Sequence, residues 1–160
     1  NIIDDALKYV DMLEYKNKDL YYLSLGQKQR IMIAEVLAKK PQYIIFDEPT
    51  TMIDSIGKVK IYKLIKKLKD EGYTIICITN LADEILLADR TIILNNGEIV
   101  EQIEKKELVE KSNIFEKYEI RIPTLLEILV KLKSNGIELD NNDVLTVDSL
   151  VKELCVKMKK

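Results

Sequence analysis

The segment that most constrains this 160-residue chain is a short apolar run that ends in two neighbouring carboxylates. Residues 43–46 read Tyr-Ile-Ile-Phe after Pro41, and Asp47 and Glu48 follow them directly. An apolar run of this length without alternation predicts a strand that is covered on both faces of a parallel sheet. Because open α/β sheets bind ligands at the carboxyl ends of their strands, the two carboxylates are candidates for chemistry.

A segment shortly before this strand predicts a helix whose start can bind an anion. Residues 23–30 read Leu-Ser-Leu-Gly-Gln-Lys-Gln-Arg, and Ser24 and Gln27 have the spacing of a capping box. Gly26 has no Cβ, so the oxygens of another molecule can approach its backbone closely. The amides of a helix start carry positive dipole character and favour a phosphate. An ordinary capped helix also explains this segment, but the carboxylates downstream favour the phosphate-binding interpretation.

The rest of the pattern predicts an α/β fold in three parts. Residues 1–40 are expected to form a helical subdomain, and residues 41–112 to alternate strand and helix. A second buried strand is expected at Thr74 to Thr79, and Asn96-Gly97 is a strong signal for a hairpin turn. This alternation indicates a mostly parallel sheet with an antiparallel edge. Residues 118–160 are expected to form a small helical extension.

Composition narrows the class of protein. The chain is 47% hydrophobic and 32% charged, which is ordinary for a globular fold. A net charge of −2 gives no support to nucleic-acid binding, and no apolar run approaches the ~20 residues of a membrane span. Cys77 lies inside an apolar run and Cys155 in a helical pattern, so both are predicted to be reduced core thiols. A zinc site is improbable in a chain without His.

The two segments, in this order and spacing, resemble the ATP-binding-cassette (ABC) ATPases, in which a signature loop precedes a Walker B strand. The resemblance implies that Asp47 holds Mg²⁺ through water and that Glu48 polarises the hydrolytic water as general base. It also implies that the signature residues bind ATP; these are Ser24, Gly26 and Gln27.

The resemblance extends to two further positions and shows two departures. Residues 51–54 occupy the place of the family's D-loop, usually Ser-Ala-Leu-Asp, so Asp54 would help connect two ATP sites across a dimer. As a helix N-terminal acid, Asp54 also has an ordinary structural interpretation. Asn80 stands where the family normally has a His that contacts the γ-phosphate, and Asn cannot become positively charged. Leu25 replaces a usual Gly, so we expect a weakened or asymmetric ATP site.

A Walker A loop, Gly-x-x-x-x-Gly-Lys-Ser/Thr, is missing from the sequence, because no two of the five glycines lie five positions apart. The chain also begins at Asn1, directly in a helical pattern. We therefore expect the C-terminal portion of a longer ATPase, with Walker A and a glutamine-bearing loop upstream. The chain alone is expected to be inactive.

The C-terminal part carries a second resemblance. Residues 123–127 read Pro-Thr-Leu-Leu-Glu, which predicts a capping box at a helix start, and a polar turn is expected at Asp140 to Asp143 before a final helix. Residues 121–136 and 145–150 resemble the C-terminal extension of energy-coupling-factor transporter ATPases. Those CbiO-like subunits power the uptake of cobalt, nickel and vitamins.

These resemblances imply an ATP-hydrolysing subunit that uses ATP and Mg²⁺ at the cytoplasmic face of the membrane as a peripheral protein. Its implied partners are a second ATPase subunit, identical or different, a membrane coupling protein and a separate substrate-binding membrane subunit. Two alternatives stay open: a degenerate subunit that contributes only its signature face and dimer contact, and a soluble ABC ATPase outside transport.

Overall fold

The computed structural model describes residues 1–137, 139 and 146–157. The chain forms two compact units, Asn1–Asn80 (unit 1) and Leu81–Lys160 (unit 2). The polar turn expected at Asp140 to Asp143 lies outside the described residues. None of the helices in the described ranges is both long and apolar enough to cross a bilayer.

Unit 1 combines helices with a two-stranded parallel sheet. The pairing of β1 and β2 places Tyr43 opposite Thr74 and Asp47 opposite Ile78. The carboxyl ends of both strands therefore lie at the same edge of the sheet. The elements in chain order are α1 (Ile2–Tyr9), 3-10 helices at Leu13–Tyr15 and Leu20–Tyr22, α2 (Leu25–Ala38), β1 (Tyr43–Asp47), α3 (Ser55–Asp70) and β2 (Thr74–Ile78).

In the parallel sheet, β1 is covered on one face within the described chain, and no residue of β2 is fully buried. Phe46 is 6% exposed and packs in the core, whereas the preceding Ile45 is 64% exposed. The prediction of strands covered on both faces is wrong here, because the apolar run specifies a strand but not how many layers pack on it. Cys77 in β2 is exposed, and so is Cys155, so the prediction of two core thiols is also wrong.

Arg30 joins α1 to α2 in unit 1. Its Nη1 donates hydrogen bonds to the carbonyl oxygens of Val10, at 3.0 Å, and Asp11, at 3.3 Å. These carbonyls lie just beyond the end of α1, where a helix leaves its last carbonyl groups without partners along its own axis. The contact satisfies them and fixes α2, which carries the predicted signature residues at its start.

Unit 2 is built from an antiparallel hairpin and three helices in its described part. The predicted Asn96-Gly97 turn is confirmed, and both residues have positive φ, 50° and 81°, as a two-residue hairpin turn requires. The strands thus form two separate two-stranded sheets in the described residues, rather than one. The elements are a 3-10 helix at Ala82–Leu87, β3 (Arg90–Asn95), β4 (Glu98–Glu104), a 3-10 helix at Lys105–Glu107, α4 (Asn113–Lys117), α5 (Thr124–Ser134) and α6 (Val147–Lys157).

The start of α5 differs from the predicted capping box. Pro123 occupies the N-cap position and no side chain caps the helix, because Thr124 is already the first helical residue. Glu127 instead forms an ion pair with Lys131, at 2.7 Å. The helix is held by its apolar side, which joins the core of unit 2; the fully or almost fully buried members of that core are Ile103, Leu108, Phe115 and Leu126.

Candidate functional site

The carboxyl ends of β1 and β2 bring Glu48 and Asn80 into contact. The amide of Glu48 donates to the carbonyl oxygen of Ile78 at 2.8 Å, which extends the parallel ladder by one residue beyond β1. Nδ2 of Asn80 donates to Oε1 of Glu48 at 3.3 Å, across 32 positions of the sequence. The parallel register therefore gathers two of the predicted site residues at one edge of the sheet.

The carboxylate of Glu48 has a second donor that the sequence did not indicate. Oγ1 of Thr51 donates to Oε2 of Glu48 at 3.0 Å. The backbone closes the same turn, since the amide of Thr51 donates to the carbonyl oxygen of Glu48 at 3.2 Å. The signal available in the sequence is a hydroxyl three positions after a carboxylate, and Thr51 is also the first residue of the D-loop counterpart.

Glu48 has a backbone conformation that residues other than glycine rarely adopt. Its φ is +45°, in the left-handed region. Such a conformation costs on the order of 1–3 kcal/mol and persists where surrounding contacts enforce it, often at functional sites. Here the bond to Ile78 and the turn to Thr51 supply those contacts. They turn the chain away from the strand direction and leave the carboxylate beside Asn80.

Asp47 is the last residue of β1 and its side chain is exposed. Among the described residues, no three side chains of the His, Cys, Asp and Glu types are grouped so that they could hold a metal ion by themselves. Mg²⁺ in nucleotide enzymes is bound by one or two carboxylates together with water and substrate phosphates. The exposed carboxylate of Asp47 at this edge therefore fits Mg²⁺ that arrives with a nucleotide.

The predicted capping box at the start of α2 is confirmed. Oγ of Ser24 accepts from the amide of Gln27 at 3.3 Å, and Oε1 of Gln27 accepts from the amide of Ser24 at 2.9 Å. Both side chains are thus fixed at the helix start. Leu25, the residue that departs from the family pattern, is the first residue of α2 and is exposed.

The starts of α2 and α3 lie side by side. A Cβ on Gly26 would lie 3.4 Å from Cγ2 of Ile53 and 3.7 Å from Cα of Gly57. The space beside Gly26 is therefore used in part by its own chain, whereas the sequence suggested another molecule. Asp54 caps α3 and accepts from the amide of Gly57 at 2.6 Å, which confirms its structural interpretation. The predicted site residues thus form one group around Glu48 and another at these two helix starts.

The chain is similar in sequence to known ATP-binding proteins of transporters. The ABC transporter family matches residues 1–51 of the chain. The chain is 39% identical over 154 residues to the energy-coupling factor transporter ATP-binding protein EcfA1 of Caldanaerobacter subterraneus, covering 96% of this chain and 55% of that protein. For EcfA1 of Bacillus subtilis the identity is 35% over 153 residues, covering 95% and 54%. The chain thus spans about half the length of the curated relatives it matches.

Solved structures agree with the sequence relatives. CbiO1 from Clostridium perfringens, part of the ABC transporter complex cbiONQ, has a TM-score of 0.63 at 32% identity, covering 79% of this chain and 51% of that one. A dimeric ATP-binding cassette in a post-hydrolysis state, bound to ADP and phosphate, has a TM-score of 0.56 at 33% identity, covering 62% and 44%. They confirm the predicted mixed α/β fold, and with the EcfA relatives they confirm the predicted resemblance. The chain is therefore similar to the ABC transporter ATPases over about half of their length.

Proposed function

We propose that this chain supplies the general base, the metal-side carboxylate and the signature face of an energy-coupling-factor transporter ATPase subunit. The observation that carries the proposal is the hydrogen bond between Asn80 and Glu48 at the carboxyl ends of β1 and β2. Glu48 directly follows Asp47 in the chain. Such strand ends are where α/β sheets place ligands. The ATP-binding names of the EcfA relatives support this assignment.

Each group has a separate task in the proposed reaction. Asp47 would hold Mg²⁺ through water, and the ion would supply positive charge for the phosphates of the nucleotide. Glu48 accepts the proton of the attacking water as general base. Asn80 cannot accept that proton from Glu48, because the side-chain amide of Asn does not titrate. Glu48 is exposed in the described residues, so water can reach the carboxylate and accept the proton from it.

The second group of residues lies at the starts of α2 and α3, and we propose that it binds the phosphates of a nucleotide. The capped start of α2 directs backbone amides outward, and those amides favour phosphate oxygens. Ser24 and Gln27 hold this helix start in place. In the proposed assembly the signature of each subunit faces the nucleotide of the other, and Asp54 links the two sites. The dimeric cassette among the structural neighbours supports this arrangement.

The proposed activity is that of a full-length subunit in its complex. Hydrolysis needs the phosphate cradle of a Walker A loop, which residues 1–160 do not carry. The complex would hold a second ATPase subunit, a membrane coupling protein and a separate membrane subunit that binds a metal ion or a vitamin. The ATPase subunits would be peripheral at the cytoplasmic face. The EcfA names and the cbiONQ neighbour support these partners.

The test is Glu48→Gln in the full-length subunit, assembled with its partners. Removal of the general base should slow ATP turnover by about 10²–10⁴ while ATP stays bound. Glu35→Gln is the matched control, since Glu35 forms an exposed ion pair with Lys39 whose loss has little effect. Equal hydrolysis rates before and after Glu48→Gln would instead favour the degenerate subunit, which Asn80 and Leu25 also suggest.

A further inference from the structure

We propose that Thr51 is a positioning residue that holds the Glu48 carboxylate in the orientation needed for attack by water. The inference rests on the proposed function, because it concerns the same general base. Thr51 touches neither phosphate nor metal in this proposal and acts only through Glu48. The observation behind it is the pair of donors on the two oxygens of one carboxylate.

Two donors from different parts of the chain define the plane of the carboxylate. The terminal torsion of a Glu side chain is broad, so a single hydrogen bond leaves the carboxylate free to rotate. Asn80, after β2, binds Oε1 at 3.3 Å, and Thr51, in the turn after β1, binds Oε2 at 3.0 Å. With either donor removed, one oxygen is released and the orientation of the base is lost.

Both donors are also neutral, which suits a general base. A positive partner on Glu48 would favour its charged form and make it a poorer proton acceptor. An ionised carboxylate offers about four lone-pair sites, and these two donors occupy two of them. Acceptor sites therefore remain for the attacking water. The hydroxyl and the amide orient the carboxylate without the charge of an ion pair.

The Thr51 hydroxyl can be removed without breaking the backbone hydrogen bond that closes the turn. The amide of Thr51 donates to the carbonyl oxygen of Glu48, and this backbone bond does not depend on the side chain. Thr51 is exposed, so its substitution leaves no cavity in the core. Thr51→Val has nearly the same shape and lacks only the donor, and Thr51→Ser restores it.

The experiment measures ATP hydrolysis by the full-length subunit in its complex, for Thr51→Val and Thr51→Ser, each alone and combined with Glu48→Gln. We expect Thr51→Val to lower kcat about tenfold or more, the value of a hydrogen bond to a charged group, with an unchanged KM for ATP. Thr51→Ser should stay within about twofold of the parent, because it keeps the donor. In the Glu48→Gln background, Thr51→Val should have no further effect on single-turnover rates.

Other outcomes overturn the proposal in distinguishable ways. An equal loss in both backgrounds would show that Thr51 acts independently of Glu48, and a raised KM with unchanged kcat would assign it to nucleotide binding. Failure of Thr51→Ser to restore the rate would exclude the hydroxyl as the active group. Should Thr51→Val not fold, Thr51→Ala removes the same donor without the branched side chain. A Glu48→Gln subunit as fast as the parent rejects the proposed function itself, and this inference with it.

Discussion

The two sheets of this molecule each contain two strands, but they differ in how far apart in the sequence the residues are that they bring together. The parallel pair of unit 1 brings together side chains from distant parts of the chain, as Glu48 and Asn80 show. The hairpin of unit 2 pairs neighbouring strands through the Asn96-Gly97 turn. A parallel pair needs a crossover, here α3, so both of its carboxyl ends lie free at one edge. The hairpin uses one end of its ladder to close its turn.

The sheets are alike in being one-sided within the described chain. In β1, Phe46 is buried and Ile45 is exposed. In β4, Ile103 is buried and Ile99 is exposed. One-sided burial is therefore not what distinguishes the sheet that carries the candidate site. The arrangement of strand ends distinguishes it, and for this reason we propose that the chemistry takes place in unit 1.

The largest effect on stability is expected at the buried face of the parallel sheet. Phe46→Ala should lower the free energy of unfolding by about 3–5 kcal/mol, because it leaves a cavity in the core of unit 1. Urea unfolding followed by circular dichroism measures the change. Ile45→Ala, one residue earlier on the opposite face, is the control and should change it by at most about 0.5 kcal/mol. A large loss at Ile45 would show that this face is covered in the protein tested.

A slightly smaller effect is expected at the buried face of the hairpin. Ile103 is 0% exposed and Ile99 is 57% exposed on the same strand. Ile103→Ala should cost about 2–5 kcal/mol of unfolding free energy, and Ile99→Ala should be close to neutral. The same urea titration compares the two variants. Equal losses of unfolding free energy at both positions would contradict a hairpin that is buried on one face only. The two sheets would then differ in burial as well as in topology.

The smallest effect is expected at the turn of the hairpin. Gly97 has φ +81° with no atom near the position of an added Cβ, so backbone strain is the main cost of a side chain there. Gly97→Ala should lower the melting temperature, through a loss of about 1–2 kcal/mol. Asn96→Gly is the control, since it removes a side chain from a residue that is also left-handed, and it should be nearly neutral. A neutral Gly97→Ala would mean that the turn accepts another conformation.

Features that depend on residues close in sequence were predicted well. The capping box of Ser24 and Gln27 and the hairpin turn at Asn96-Gly97 both involve neighbours within four positions. The second role suggested for Asp54, as a helix N-terminal acid, is also local and is seen as a cap on α3. In each case a few residues supply both the donor and the acceptor, so the pattern and the geometry coincide.

Other features depend on packing or on backbone conformation as well as on residue spacing, and these could not be read from the pattern. The run at 43–46 has the same sequence whether one or two layers cover it, so the exposure of Ile45 was missed. The spacing of Thr124 and Glu127 matches that of Ser24 and Gln27, yet Pro123 takes the N-cap position and no box forms. The contact of Thr51 with Glu48 requires the left-handed turn at Glu48, which no residue type in that segment signals.

The exposed thiols have a practical consequence for spectroscopy. The chain has two cysteines, one in each unit, and both are exposed and outside any disulfide. Cys77 lies opposite Phe46 in the parallel ladder, near the strand end that precedes Asn80. With Cys155→Ser to confine the label, a maleimide fluorophore on Cys77 would therefore report events at the candidate site. Nucleotide addition to the full-length subunit could then be followed by fluorescence without an introduced cysteine.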